Sequence, residues 1–158
     1  MDACFYRNIY LIIWSKMNYM INDELTGTFA LVTSETKEYP IANTGMIGII
    51  TAADIKNDII YIGFGTGEQT RYTSDALLVL KKPSLIYFEM MQNATKIETP
   101  DFKQLFRVCM LLDSGLIKHK RNAIEMARDN EVVRGYSMSS LAQTFVIQNV
   151  RKLQSISF

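Results

Sequence analysis

The feature that most constrains this chain is a change of apolar period at Pro83. From Thr28 to Lys82, short apolar runs alternate with polar residues and are separated by turn-forming residues. After Pro83 the apolar residues return every third or fourth position, and the pattern stays helical to the end. The first pattern predicts five short strands. Strand one covers Thr28–Ser34, where Phe29, Leu31 and Thr33 share one face and Ala30 and Val32 the other. A long loop through Tyr39-Pro40 reaches Gly45, and strand two follows at Met46–Ala53. Asn57-Asp58 suits a turn that needs positive φ. Strand three is Ile59–Phe64, and Gly65-Thr66-Gly67 supplies a tight hairpin into strand four, Glu68–Tyr72. Thr73 to Ala76 reads as one helical turn before strand five, Leu77–Leu80.

A long first loop, a three-stranded meander, one helical turn and a short last strand resemble the SH3-like barrel. The phrase Gly45-x-x-Gly48-Ile49-Ile50 … Ile60-x-Ile62-x-Phe64-x-x-Gly67 … Tyr72-x-x-x-x-Leu77 is similar to its KOW-type variant, over about a third of the chain. The resemblance implies a five-stranded barrel, and KOW-type modules commonly bind RNA or ribosome-associated proteins. A fold does not by itself carry a function. This chain departs from nucleic-acid-binding members, because its turns hold Asp54, Asp58 and Glu68 rather than a Lys/Arg cluster. It also lacks the acidic and aromatic loop pattern with which SH3 domains hold Pro-rich peptides.

The second pattern predicts three to four helices. Leu85–Met91 is apolar and reads as a short helix or an extra strand, with the two Met residues and Glu89 favouring the helix. Thr99 is placed to cap the next one, Pro100 suits its first position, and Asp101 complements its dipole. Phe102, Leu105, Phe106, Cys109 and Leu112 form its buried stripe, and Ser114-Gly115 ends it. A further helix from Lys118 to about Glu131 buries Ile124 and Ala127, and Gly135 interrupts. Ser137 or Ser139 then caps a last helix striped by Leu141, Phe145, Val150 and Leu153. The expected architecture is α+β: an appended segment at 1–27, an SH3-like barrel at 28–82 and a helical region at 83–158.

The residues that could carry chemistry are few and scattered. Gly63, Gly65 and Gly67 form a G-x-G-x-G run, but a phosphate-binding loop lies between a strand and a helix, and these lie between two strands. Cys4 and Cys109 have no metal-ligand spacing, and Cys109 sits among apolar neighbours that favour burial. His119 is the only histidine, and no neighbouring sequence marks a nucleophile for it. The carboxylate pairs Asp54/Asp58 and Asp129/Glu131 fall in turns or at a helix end, where solvation explains them. No catalytic set, metal site or cofactor is implied, so a non-catalytic binding or adaptor module is expected, with a protein partner.

Nucleic acid is the alternative partner. The net charge is only +1, but residues 83–158 carry 10 basic and 7 acidic side chains. Lys118, Lys120 and Arg121 cluster, and Arg128 lies further along the same helix. Arg134, Arg151 and Lys152 extend that surface if the helices align them. A helix-turn-helix fits the connection Gly115-Leu116-Ile117, although acidic residues near the second helix's end do not suit a groove reader. Tyr39, Phe64 and Tyr72 are candidates for partner contact, and Tyr61, Phe64 and Tyr72 for stacking bases, although core positions on strands also account for aromatic residues.

The composition, 48% apolar and 21% charged, is that of a folded chain. Ile9–Trp14 is apolar over six residues, too short for a spanning helix of about 20 residues. It reads as an appended segment upstream of the body, with a docked helix or strand and a weak membrane-facing segment as the alternatives, and Met17 and Met20 are alternative starts. No disulfide framework is evident, so a reducing cytoplasm is expected.

Overall fold

The computed structural model describes residues 24–33 and 43–145. Cys4, the Ile9–Trp14 run, Tyr39 and the positions Val150, Arg151, Lys152 and Leu153 of the expected last helix lie outside them.

Five strands form where alternation placed them: β1 (Phe29–Val32), β2 (Ile47–Asp54), β3 (Ile59–Gly63), β4 (Gln69–Tyr72) and β5 (Leu77–Leu80). A 3-10 turn at Ser74–Ala76 joins the last two. Asp58 takes a φ of 53°, the left-handed conformation expected of that turn. Its carboxylate accepts the Ser74 N–H at 2.9 Å, which ties the β2–β3 turn to the 3-10 turn.

The helical region gives α1 (Pro83–Gln92), α2 (Thr99–Asp113), α3 (Ile117–Asp129) and α4 (Glu131–Ser137). A sixth strand, β6 (Met138–Ser140), follows, and residues 141–145 are helical. The break falls at Asn130, whose side chain accepts the Val133 N–H at 3.1 Å, and Gly135 lies inside α4. Ser140, rather than Ser137 or Ser139, caps the helical turn after β6, accepting the Gln143 N–H at 3.2 Å. The N-cap of α2 is Glu98, and Thr99 is already helical.

The strand order is β4-β3-β2-β1-β5-β6, all antiparallel. The expected closed five-stranded barrel is therefore replaced by an open six-stranded sheet. The physical reason is β6: it pairs along β5 through Leu78↔Ser140 and Leu80↔Met138, occupying an edge with backbone from the helical region. The next bond, Lys81 N–H to Ser137 O at 2.9 Å, continues that seam. β2 changes register with β3 between Ile50 and Ala52, a bulge that bends the strand.

β1 is buried along its whole length, because both faces of the sheet are covered there. Phe29 and Leu31 join Ile86, Met90, Leu105, Val108, Ile124 and Val133 in a cluster between sheet and helices. Ala30 and Val32 point the other way, into a cluster with Ile50, Ile60, Ile62, Leu77, Val79 and Leu141. Sheet and helices thus share the first cluster, and β1 separates it from the second. Gly48 belongs to the second face. A Cβ there would collide with the Ile62 side chain and lie 3.0 Å from the Phe64 ring, so only glycine lets β2 and β3 approach this closely.

Candidate functional site

The helical layer carries the surface features that a binding reading requires. α1 is apolar on nearly every side, yet it buries only Ile86 and Met90 fully against the molecule. Tyr87, Phe88 and Met91 are exposed, Phe88 at 58%. The Cys109 thiol lies 3.8 Å from the Pro83 carbonyl oxygen, which ties the start of α1 to the later part of α2. The two helices therefore run antiparallel, and α2 exposes Phe106 and Met110, the latter at 61%. Phe106 does not belong to the buried stripe that the spacing predicts. It is nearly half exposed, while Leu105, Val108 and Cys109 take the core side.

Lys81 donates to Glu89 at 2.8 Å, bracing α1 against the end of β5. Beyond Glu89 a cleft of about 670 Å³ opens between the end of α1, the α1–α2 connection, the first turn of α2, and α4. Its walls are Glu89, Lys96, Ile97, Glu98, Asp101, Glu131, Val132, Gly135 and Tyr136. Four carboxylates against one ammonium make it acidic. Asn130 stands behind it, donating to Asp101 at 2.8 Å and to Gln104 at 3.1 Å while capping α4. Among the described residues, no three His, Cys, Asp or Glu side chains converge as metal ligands.

Of the basic residues singled out by sequence, Lys118, Lys120, Arg121 and Arg128 sit on α3, Arg134 sits on α4, and Arg151 and Lys152 lie outside the described residues. Lys118 and Lys120 are exposed near its start. Arg121 donates to Glu125 one turn on, at 3.1 Å, and Arg128 donates to its neighbour Asp129 at 2.7 Å. The Arg128 contact holds the Asp129 carboxyl below its ordinary pKa and raises that of the guanidinium. Arg134 donates to the Arg128 carbonyl at 3.0 Å. Half of the four-residue basic set is thus engaged by neighbouring acids, and surface pairs of this kind dilute a positive field.

Of the aromatic candidates of the sheet, Phe64 and Tyr72 pack against the second core cluster, and Tyr61 is half-buried on the opposite side of β3 from Ile60 and Ile62. Tyr72 is 1% exposed, within the second core cluster, and Phe64 is half-buried against the same cluster. Tyr72 is therefore a core residue, whereas Phe64 keeps part of its surface exposed. Cys109 is a buried free thiol, its pKa raised by desolvation and by Asp113.

One contact has no marker in the sequence: Ser114 Oγ lies 2.6 Å from His119 Nδ1. Ser114 also donates to the Leu111 carbonyl at 2.7 Å and lies 3.4 Å from the Leu116 N–H. With the hydroxyl proton on Leu111, the imidazole N–H is the donor. These contacts close the α2–α3 turn, where Gly115 has a φ of +70°. The turn carries Leu116 and Ile117 outward, Ile117 at 74% exposure.

No helix among the described residues is long and apolar enough to cross a membrane. No family model, curated protein or solved structure matches the chain.

Proposed function

We propose that the protein is a non-catalytic binding module that docks a protein partner on the exposed apolar side of α1 and α2. The observation that carries the reading is that five large apolar side chains, Tyr87, Phe88, Met91, Phe106 and Met110, stand exposed on two neighbouring helices. Single exposed apolar residues are ordinary, but a concentration of them marks an interaction surface. The reading extends to the fold: the β4-β3-β2-β1-β5 order, the bulge in β2 and the 3-10 turn before β5 support an SH3-like sheet opened by β6. The reduced thiol Cys109 is in keeping with a cytoplasmic protein.

The test is comparative recovery of partners from cell extract by wild type and by Phe88→Glu/Met110→Glu. Both positions are exposed, so the variant should keep the wild-type Tm. A partner held by wild type and lost by the variant supports the reading, and identical recoveries refute it.

Nucleic acid is the second reading, favoured by Lys118 and Lys120 at the exposed start of α3. It requires saturable binding of labelled RNA or DNA that weakens with salt. It also requires the salt slope to flatten when Lys118, Lys120 and Arg121 are replaced by Ala.

A further inference from the structure

The acidic cleft and the basic, apolar turn lie at opposite ends of one helical hairpin. α2 begins at the cleft, where Asp101 is a wall residue, and its 15 residues carry it about 22 Å to the turn. α3 returns from the turn, and the residue that ends it, Asn130, bonds Asp101 at 2.8 Å. A single copy therefore cannot bring its own turn to its own cleft.

The two ends are complementary in charge and in apolar content. The turn presents Leu116 and Ile117 beside Lys118, Lys120 and Arg121, with Asp113 and Glu125 as the nearby acids in sequence. Arg121 is shared with Glu125, so the unengaged positive charge is mainly that of the two lysines. The cleft presents Glu98, Asp101 and Glu131 around Ile97, Val132 and Tyr136. Lys96 opposes those acids, and Glu89 on the far wall is already bound by Lys81. We propose that copies of this chain associate head to tail, with the Leu116–Arg121 turn of one seated in the acidic cleft of the next. Such a contact joins two different surfaces, so two copies can make it reciprocally as a two-fold pair, or each copy can engage two neighbours in a ring or chain. Its few ion pairs are exposed, which makes the association weak and salt-sensitive. It does not rest on the exposed face of α1 and α2, and variants at Phe88 should leave it intact.

Light scattering across protein concentrations up to about 1 mM tests it. In about 50 mM salt the average mass should rise with concentration to that of a dimer or beyond, and in about 500 mM salt it should fall back toward 18.1 kDa. Lys118→Glu/Lys120→Glu gives a copy with acids at both ends, and Glu98→Lys/Glu131→Lys a copy with bases at both ends. All four positions are exposed, so neither variant strains the core. Each alone should stay monomeric, and an equimolar mixture should recover the wild-type mass increase. A wild-type monomer at every concentration, association indifferent to salt and to both variants, or a mixture that fails to associate would overturn the proposal.

Discussion

Gly48→Ala should destabilise the protein, while Gly135→Ala, the same chemical change, should stabilise it. At Gly48 the new methyl group meets the Ile62 side chain, the Phe64 ring at 3.0 Å and the Gly63 carbonyl oxygen at 3.1 Å. Ile62 is fully buried, and β2 at this point pairs with β1 at Ala30, so the strand has little room to retreat. Overpacking of this kind costs about 1–3 kcal/mol. Loss of glycine's unfolded-state freedom offsets about 0.4–1 kcal/mol of that. The net loss is about 1–2 kcal/mol, or a Tm lower by roughly 2–8 °C for a chain of this size. At Gly135 a Cβ meets nothing within 4 Å, and the residue is exposed in α4. Alanine there should add about 0.5–1 kcal/mol from helix propensity and reduced unfolded-state entropy. Thermal unfolding followed by circular dichroism reads both. A Gly48→Ala protein as stable as wild type would refute the close approach of β2 and β3.

Other consequences are more local. Asn130→Ala removes the α4 cap and the bonds to Asp101 and Gln104, and should lower stability by about 1–2 kcal/mol in urea unfolding. The Asp54 carboxyl titrates below its ordinary pKa, chiefly because the Asn57 side chain donates to it at 2.7 Å. Its folded value lies below its unfolded one, so its contribution to stability is complete above the ordinary carboxylate range and is lost as pH falls through the folded value. In Asn57→Ala, the Asp54 titration followed by NMR should move up toward the ordinary value. In a Cys4→Ser background, Cys109 should resist thiol reagents in the native protein and react freely in urea, since burial keeps its pKa high.

The strands were legible because their signal is local. Alternation in Ile59–Gly63 and the glycines at 65 and 67 name a hairpin without reference to the rest of the chain. β6 was not legible, because Met138-Ser139-Ser140 has no strand pattern and extends only because the edge of β5 lies beside it. Phe106 fits the helical stripe by spacing, but the stripe is wider than the face that α2 buries. Cys109 and Ile124 were legible as core, being apolar at the centre of that periodicity. The cleft draws its acids from Glu89, Glu98, Asp101 and Glu131, on elements that meet only through packing. No spacing rule groups them. The basic set was visible as a cluster, but its pairing with Glu125 and Asp129 depends on rotamers at a helix surface.

The central claim is that the exposed side of α1 and α2 is a docking surface. Site-specific photo-crosslinking in living cells tests it most directly, with the photoreactive residue placed at Phe88, at Met110, or at Asn57 in the exposed polar β2–β3 turn. The account predicts the same discrete crosslinked species from positions 88 and 110 and none from position 57. No crosslink from 88 and 110, or the same species from all three, would contradict it.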